Sequence, residues 1–153
     1  MPVKLQEGQA APDFALPGSD GQQHSLKDYK GQRLLLYFYP RDNTPGCTVE
    51  AKNFATGFAE YETRKVAVLG ISTDSEKSHE KFSTKLCLPF PLLADSEGKM
   101  AKAYGVLKSL RPLIMTARRV SFLIDPKGNI EKIWDPVKAK THHEEVLAYL
   151  DGN

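Results

Sequence analysis

Cysteine is scarce in this chain: its 153 residues contain two, Cys47 and Cys87. Two are too few for the disulfide framework of a small secreted domain, and the opening residues from Met1 to Glu7 form no apolar leader, so a reducing, cytoplasmic setting is expected. Long hydrophobic runs are also missing. The longest, Leu34–Tyr39 and Val66–Ile71, have six residues each, whereas a membrane-spanning helix needs about 20, so no membrane partner is implied. Neither sign of charge dominates. Lys and Arg number 21, Asp and Glu 19, and the signs are interspersed, which argues against nucleic acid as a partner. Eleven glycines, ten prolines and a hydrophobic fraction of 41% exclude collagenous, coiled-coil and disordered chains. The chain has no GxGxxG, GxxxxGK[ST], HExxH or GxSxG, so dinucleotide, P-loop, zincin and serine-hydrolase readings lack their signatures. It has no CxxC either, which argues against a disulfide reductase. His24 and His79 show no ligand partner at chelating spacing. His142 and His143 are adjacent, point apart on a helix and read as surface polar residues. No metal and no cofactor is implied.

What is present fits one domain over residues 1–153. Pro12–Pro17 reads as an edge strand and Gly18–Gly21 as a tight turn. Three continuous apolar runs, Leu34–Tyr39, Val66–Ile71 and Val120–Ile124, read as strands covered on both faces, the competing reading being short buried helices. Between the first two, Cys47, Ala51, Phe54, Phe58 and Tyr61 recur at steps of four and three, one face of a helix. Thr44 is its expected N-cap and Pro45 its first residue. Further helices are expected over Ser75–Leu86, stopped by Pro89, and over Ser96–Tyr104. Asp125–Asn129 should turn a hairpin into Ile130–Trp134, and a helix over Thr141–Leu150 should open with a capping box from Thr141 to Glu144. The order specifies an α/β chain resembling the thioredoxin fold, a central mixed sheet flanked by helices with an N-terminal hairpin extension.

With Thr44 as N-cap, Cys47 falls in the first helical turn, where free backbone N–H groups and the positive end of the helix dipole favour thiolate. A thiol with pKa ~8.5 is about 3% ionised at pH 7, and one lowered to ~6 is about 90% ionised. Thr44-Pro45-Gly46 ahead of it forms an anion-binding turn. The bland alternative is a small apolar residue packed at the top of the helix.

Pro40-x-x-x-Thr44-x-x-Cys47 after an apolar strand resembles the active-site pattern of the peroxiredoxins. The similarity extends to Ala11-Pro12-Asp13-Phe14, Thr48-x-Glu50-Ala51, Phe90–Asp95, Tyr104-Gly105-Val106 and Arg119-x-Ser-Phe-Leu-Ile-Asp125. It is narrowest toward the bacterioferritin-comigratory, or peroxiredoxin Q, branch. The resemblance implies a thiol peroxidase for hydrogen peroxide and alkyl hydroperoxides, with Cys47 as peroxidatic nucleophile. Thr44 and Arg119 would hydrogen-bond sulfur and peroxide, and Pro40 would shield the sulfur from water. Glu50 would either hold Arg119 or stand as an exposed helix carboxylate. The apolar Leu107–Met115 segment is read as a loop beside the site or packed on its own core.

Many members of the branch resolve the oxidised cysteine with a second one five residues on, where this chain has Lys52. Others use a cysteine in the helix that here ends near Cys87. The resemblance therefore implies a Cys47–Cys87 disulfide, recycled by thioredoxin or a similar dithiol, formed after the Thr44–Ala51 turn unwinds; Gly46 and Gly57 lower the cost of unwinding. A structural Cys87 would leave a one-cysteine peroxidase served by glutathione or glutaredoxin. A peroxide-sensing thiol module and a thioredoxin-fold protein with an inert thiol are the remaining readings. The branch suggests a monomer.

Overall fold

The protein is described by a computed structural model covering residues 4–111 and 114–153. A five-stranded sheet in the order β5-β4-β3-β8-β9 forms its centre. The strands are β3 (Arg33–Phe38), β4 (Val66–Ser72), β5 (Leu92–Ala94), β8 (Val120–Ile124) and β9 (Ile130–Trp134). Strands β3, β4 and β5 run parallel, while β8 is antiparallel to β3 and to β9. The sheet is mixed and the three apolar runs are strands, as expected.

Continuous apolarity has the anticipated cause. Along β3, Leu34, Leu36 and Phe38 enter one core, while Leu35 and Tyr37, with Tyr39 just beyond, enter another. The first core lies under the N-terminal hairpin of β1 (Ala15–Pro17) and β2 (Gln23–Ser25) and under α4 (Lys99–Ala103). The second holds α1 (Pro45–Thr56), α2 (Phe58–Thr63), α3 (Glu76–Leu86) and α5 (His142–Gly152). Both cysteine-bearing segments therefore sit on the same face of the sheet.

Several expectations are corrected. The helix after β3 breaks at Gly57, whose backbone caps α1 and starts α2. The helix expected over 96–104 is confined to Lys99–Ala103, because the Asp95 carboxylate accepts from the backbone N–H groups of Met100 and Ala101 and fixes its start there. Thr141 precedes α5 without a capping box: at ψ −2° its side chain makes no cap bond, and its carbonyl takes the N–H groups of Glu144 and Glu145 instead. The segment read as a loop is a hairpin of β6 (Leu107–Arg111) and β7 (Ile114–Ala117). Leu107 and Met115 pack over Gly98, whose missing Cβ makes room for them. Pro112 and Leu113 of that reading, and Met1–Val3 of the N-terminal one, lie outside the described residues.

Helix α3 ends differently from the Pro89 stop. Cys87 adopts the left-handed conformation, φ 52° and ψ 48°. Its N–H donates to the Thr84 carbonyl and that of Leu88 to Ser83, the paired bonds of a Schellman cap. That position is usually glycine, and a residue with a Cβ is held there at a cost of about 1–2 kcal/mol.

Candidate active site

The site begins where β3 ends. After Tyr39 and Pro40, the chain turns through Arg41-Asp42-Asn43, with Asn43 left-handed at φ 64°, a conformation asparagine tolerates. Thr44 follows in extended conformation as N-cap, Pro45 opens α1 and Cys47 is its third residue. The expected register holds, with one difference. The Thr44 hydroxyl does not cap α1; it donates back to the Arg41 carbonyl at 2.9 Å and closes the turn.

Cys47 is 1% exposed and unbonded to Cys87. Its sulfur accepts a hydrogen bond from Arg119 Nη2 at 3.3 Å, and Arg119 Nη1 donates to Glu50 Oε1 at 2.7 Å. Alternation along the strand entry separates the two arginines. Arg118 turns the other way and forms a bidentate pair with Asp135, at 3.0 and 3.2 Å. Gly46 has a steric role here: a Cβ would come within 3.1 Å of Arg119 Nη2. Pro40 and Arg119 line one open pocket with Lys108, Thr116, Ala117 and Pro136. The structure thus brings Pro40, Thr44, Gly46, Cys47, Glu50 and Arg119 to one place. Cys87 stands apart, exposed at the end of α3 with its thiol on the Thr84 carbonyl.

Glu50 is a buried ion-pair partner rather than an exposed carboxylate. Burial pushes its carboxyl up to about 7 despite the opposing pull of Arg119, and Oε2 has no partner among the described residues. Around Arg119, burial opposes the charge, but Glu50 and Cys47 outweigh it and hold the guanidinium above its ordinary value. A carboxyl whose native pKa exceeds its unfolded value binds more protons when folded, so stability falls as pH rises through the window from about 4.5 to about 7. Glu50→Gln should remove that slope, the variant gaining up to about 3 kcal/mol on the wild type between pH 5 and pH 8. Urea midpoints at the two pH values check this; a constant difference would show the carboxyl charged throughout.

Sequence reasoning missed four buried groups around the site. His142, expected at the surface, is fully buried. Its Nε2 lies 2.8 Å from Ser121 Oγ, its ring meets Phe54 and Trp134 edge-on, and burial, then His143 and Arg119, push it down to about 4. The recurrence of His142, Val146 and Leu150 every four residues was its signal. Tyr37 packs on Tyr39 and Phe54 with its hydroxyl enclosed, and burial raises it well above its usual range. His79, read as having no partner at chelating spacing, is buried 2.7 Å from the likewise buried Asp42. His24, read as unpartnered, contacts the Asp20 carboxylate at 3.0 Å. Asp42, Asp74 and His79 bring potential metal-ligating atoms together, but hydrogen bonds within the cluster occupy them.

A thiol at a helix start, facing a guanidinium anchored by a carboxylate on a thioredoxin-like sheet, belongs to a recognisable class. Residues 7–133 match the AhpC/TSA family, and the chain belongs to it; it is a peroxiredoxin, a thiol-dependent peroxidase. Within the family it groups with the Bcp and PrxQ proteins. It is 42% identical over 151 residues to peroxiredoxin Bcp of Bacillus subtilis, covering 97% of this chain and 96% of that one. The crystal structure of a Xylella fastidiosa PrxQ mutant superposes with a TM-score of 0.90 at 37% identity, covering 97% and 96% of the two chains. A structure of Xanthomonas campestris bacterioferritin comigratory protein, described for its alkyl peroxide reduction activity, gives 0.87 at 34% identity over 99% and 98%. Among the described residues no helix is long and apolar enough to cross a membrane.

Proposed function

We propose that the chain reduces hydrogen peroxide and alkyl hydroperoxides by a two-cysteine cycle run within one domain, with Cys47 as nucleophile and Cys87 as resolving thiol. The observation that carries the first half is the Arg119–Cys47 contact. The Cys47 thiolate attacks the terminal peroxide oxygen, an S–O bond forms, and the O–O bond breaks with its electron pair going to the departing oxygen. That oxygen takes up a proton and leaves as water or alcohol, and Cys47 becomes a sulfenic acid. Negative charge moves from sulfur to oxygen during this step. A guanidinium fixed by Glu50 already lies against the sulfur, and the amino end of α1 adds the positive end of the helix dipole beside it. The Thr44 hydroxyl, donating to Arg41, keeps its lone pairs for the peroxide O–H, and Pro40 walls the pocket beside Arg119.

The second half follows from the remaining thiol. Cys87 displaces the sulfenic oxygen as water and forms a disulfide, which a thioredoxin-like dithiol then reduces to restore both thiols. Lys52 occupies the place of the nearer resolving cysteine of many relatives. Cys87 is exposed and held in a left-handed cap whose strain is released when the last turn of α3 opens, which favours its leaving that position. One equivalent of peroxide added to the reduced protein should give a monomer lighter by two hydrogens, with the Cys47 and Cys87 peptides joined under non-reducing conditions. A stable sulfenic or sulfinic acid on Cys47 alone would replace this reading with a one-cysteine enzyme.

A further inference from the structure

The buried pair between Asp42 and His79 takes no part in the peroxide chemistry, yet it joins the two cysteine-bearing segments. Asp42 lies in the turn that delivers Thr44 and Cys47, and His79 lies in the first two turns of α3, the helix that ends at Cys87. His79 Nδ1 is 2.7 Å from Asp42 Oδ2, and Nε2 is 2.9 Å from the Leu93 carbonyl oxygen. Each ring nitrogen thus has an oxygen within hydrogen-bond distance, one on the turn before Cys47 and one on β5. Asp42 is held on every side. Tyr39 donates to Oδ1 at 2.6 Å, Ser78 donates to Oδ2 at 2.7 Å, and the Asp42 N–H donates to Asp74 Oδ2 at 2.9 Å. Ser72 donates to that same Asp74 oxygen at 2.6 Å. His79 is fully buried and Asp42 5% exposed. Removing one member of such a pair leaves the other buried without its hydrogen-bond partner.

We propose that the Asp42–His79 pair is the positioning latch of the catalytic cycle: closed, it holds the turn before Cys47 in the folded, peroxide-reactive arrangement, and it parts when that turn and α3 separate to form the disulfide. The inference rests on the two-cysteine reading for its second half only. The folded turn is what brings Cys47 to Arg119, so a weakened latch lowers the fraction of protein competent for the first step. The same weakening raises the fraction open for the second. The two steps therefore respond in opposite directions, whereas a general loss of stability or a lost active-site contact slows both or only the first.

The test follows Cys47 oxidation and disulfide formation separately, by acid quench and mass analysis, in wild type, His79→Gln, Asp42→Asn and the double variant. Each single variant should slow Cys47 oxidation at least about tenfold and speed the sulfenic-to-disulfide step by about threefold or more. The double variant should be no worse than either single one, since the two residues act as a unit. Unchanged rates, equal slowing of both steps, or additive losses in the double variant would overturn the proposal. If His79→Gln fails to fold, Ser78→Ala removes one donor from Asp42 and should shift the two rates in the same opposed sense to a smaller degree. If the wild type forms no Cys47–Cys87 disulfide, the two-cysteine reading falls, and the latch stands or falls on slowed Cys47 oxidation with the double-variant coupling.

Discussion

Replacing Cys47 with serine should bring peroxide consumption down to the uncatalysed background while leaving the fold in place. A serine hydroxyl is a far weaker acid and a poorer nucleophile toward peroxide oxygen, and the side chain hydrogen-bonded at that position, Arg119, is a cation rather than a base. The buried position accepts an oxygen in place of sulfur with little change in volume, and Arg119 still has an acceptor to meet, so stability should move by about 1 kcal/mol or less. Arg119→Met is the informative companion. It removes a charged donor aimed at the reacting sulfur and should lower the second-order rate by about 10²–10³-fold. It also strands the buried Glu50 carboxyl, so the double variant Arg119→Met/Glu50→Gln separates lost chemistry from lost stability. Stopped-flow consumption of hydrogen peroxide, read beside thermal midpoints, checks all three. Measurable activity in Cys47→Ser would move the chemistry to another residue.

Cys87→Ser should split the catalytic cycle in two. The first turnover should be unchanged, because Cys47, Arg119 and Glu50 bond to one another while the Cys87 thiol lies on the Thr84 carbonyl. Steady-state turnover with a thioredoxin system should disappear, and excess peroxide should then carry Cys47 on to sulfinic acid, since nothing intercepts the sulfenic intermediate. Serine at the left-handed cap carries the same backbone strain as cysteine, so the loss would not come from a changed helix end. Undiminished turnover in this variant would make Cys87 structural and an external thiol the resolving group.

Much of this was legible in the chain. The strands followed from runs that are apolar at every position, because only a sheet covered on both faces can bury Leu34 to Tyr39 without a polar interruption. Cys47 at a helix start followed from Thr44 and Pro45. The buried polar groups were hidden because their partners are distant in sequence: Asp42 meets His79 across 37 residues and Ser121 meets His142 across 21. Yet the faces they occupy were readable. His79, Phe82 and Leu86 share one helical stripe, as do His142, Val146 and Leu150, and a histidine on such a stripe is buried with a partner to be sought. The β6–β7 hairpin escaped because Leu107–Met115 shows no regular alternation, and its pairing is irregular between Ser109 and Arg111.

The thiol at the end of α3 is also the residue that tells the helix where to stop. In the proposed two-cysteine cycle, drawing Cys87 into a disulfide would erase that stop and fray the surface around it. If that cycle operates, spent and fresh enzyme would differ in outline as well as in bonding.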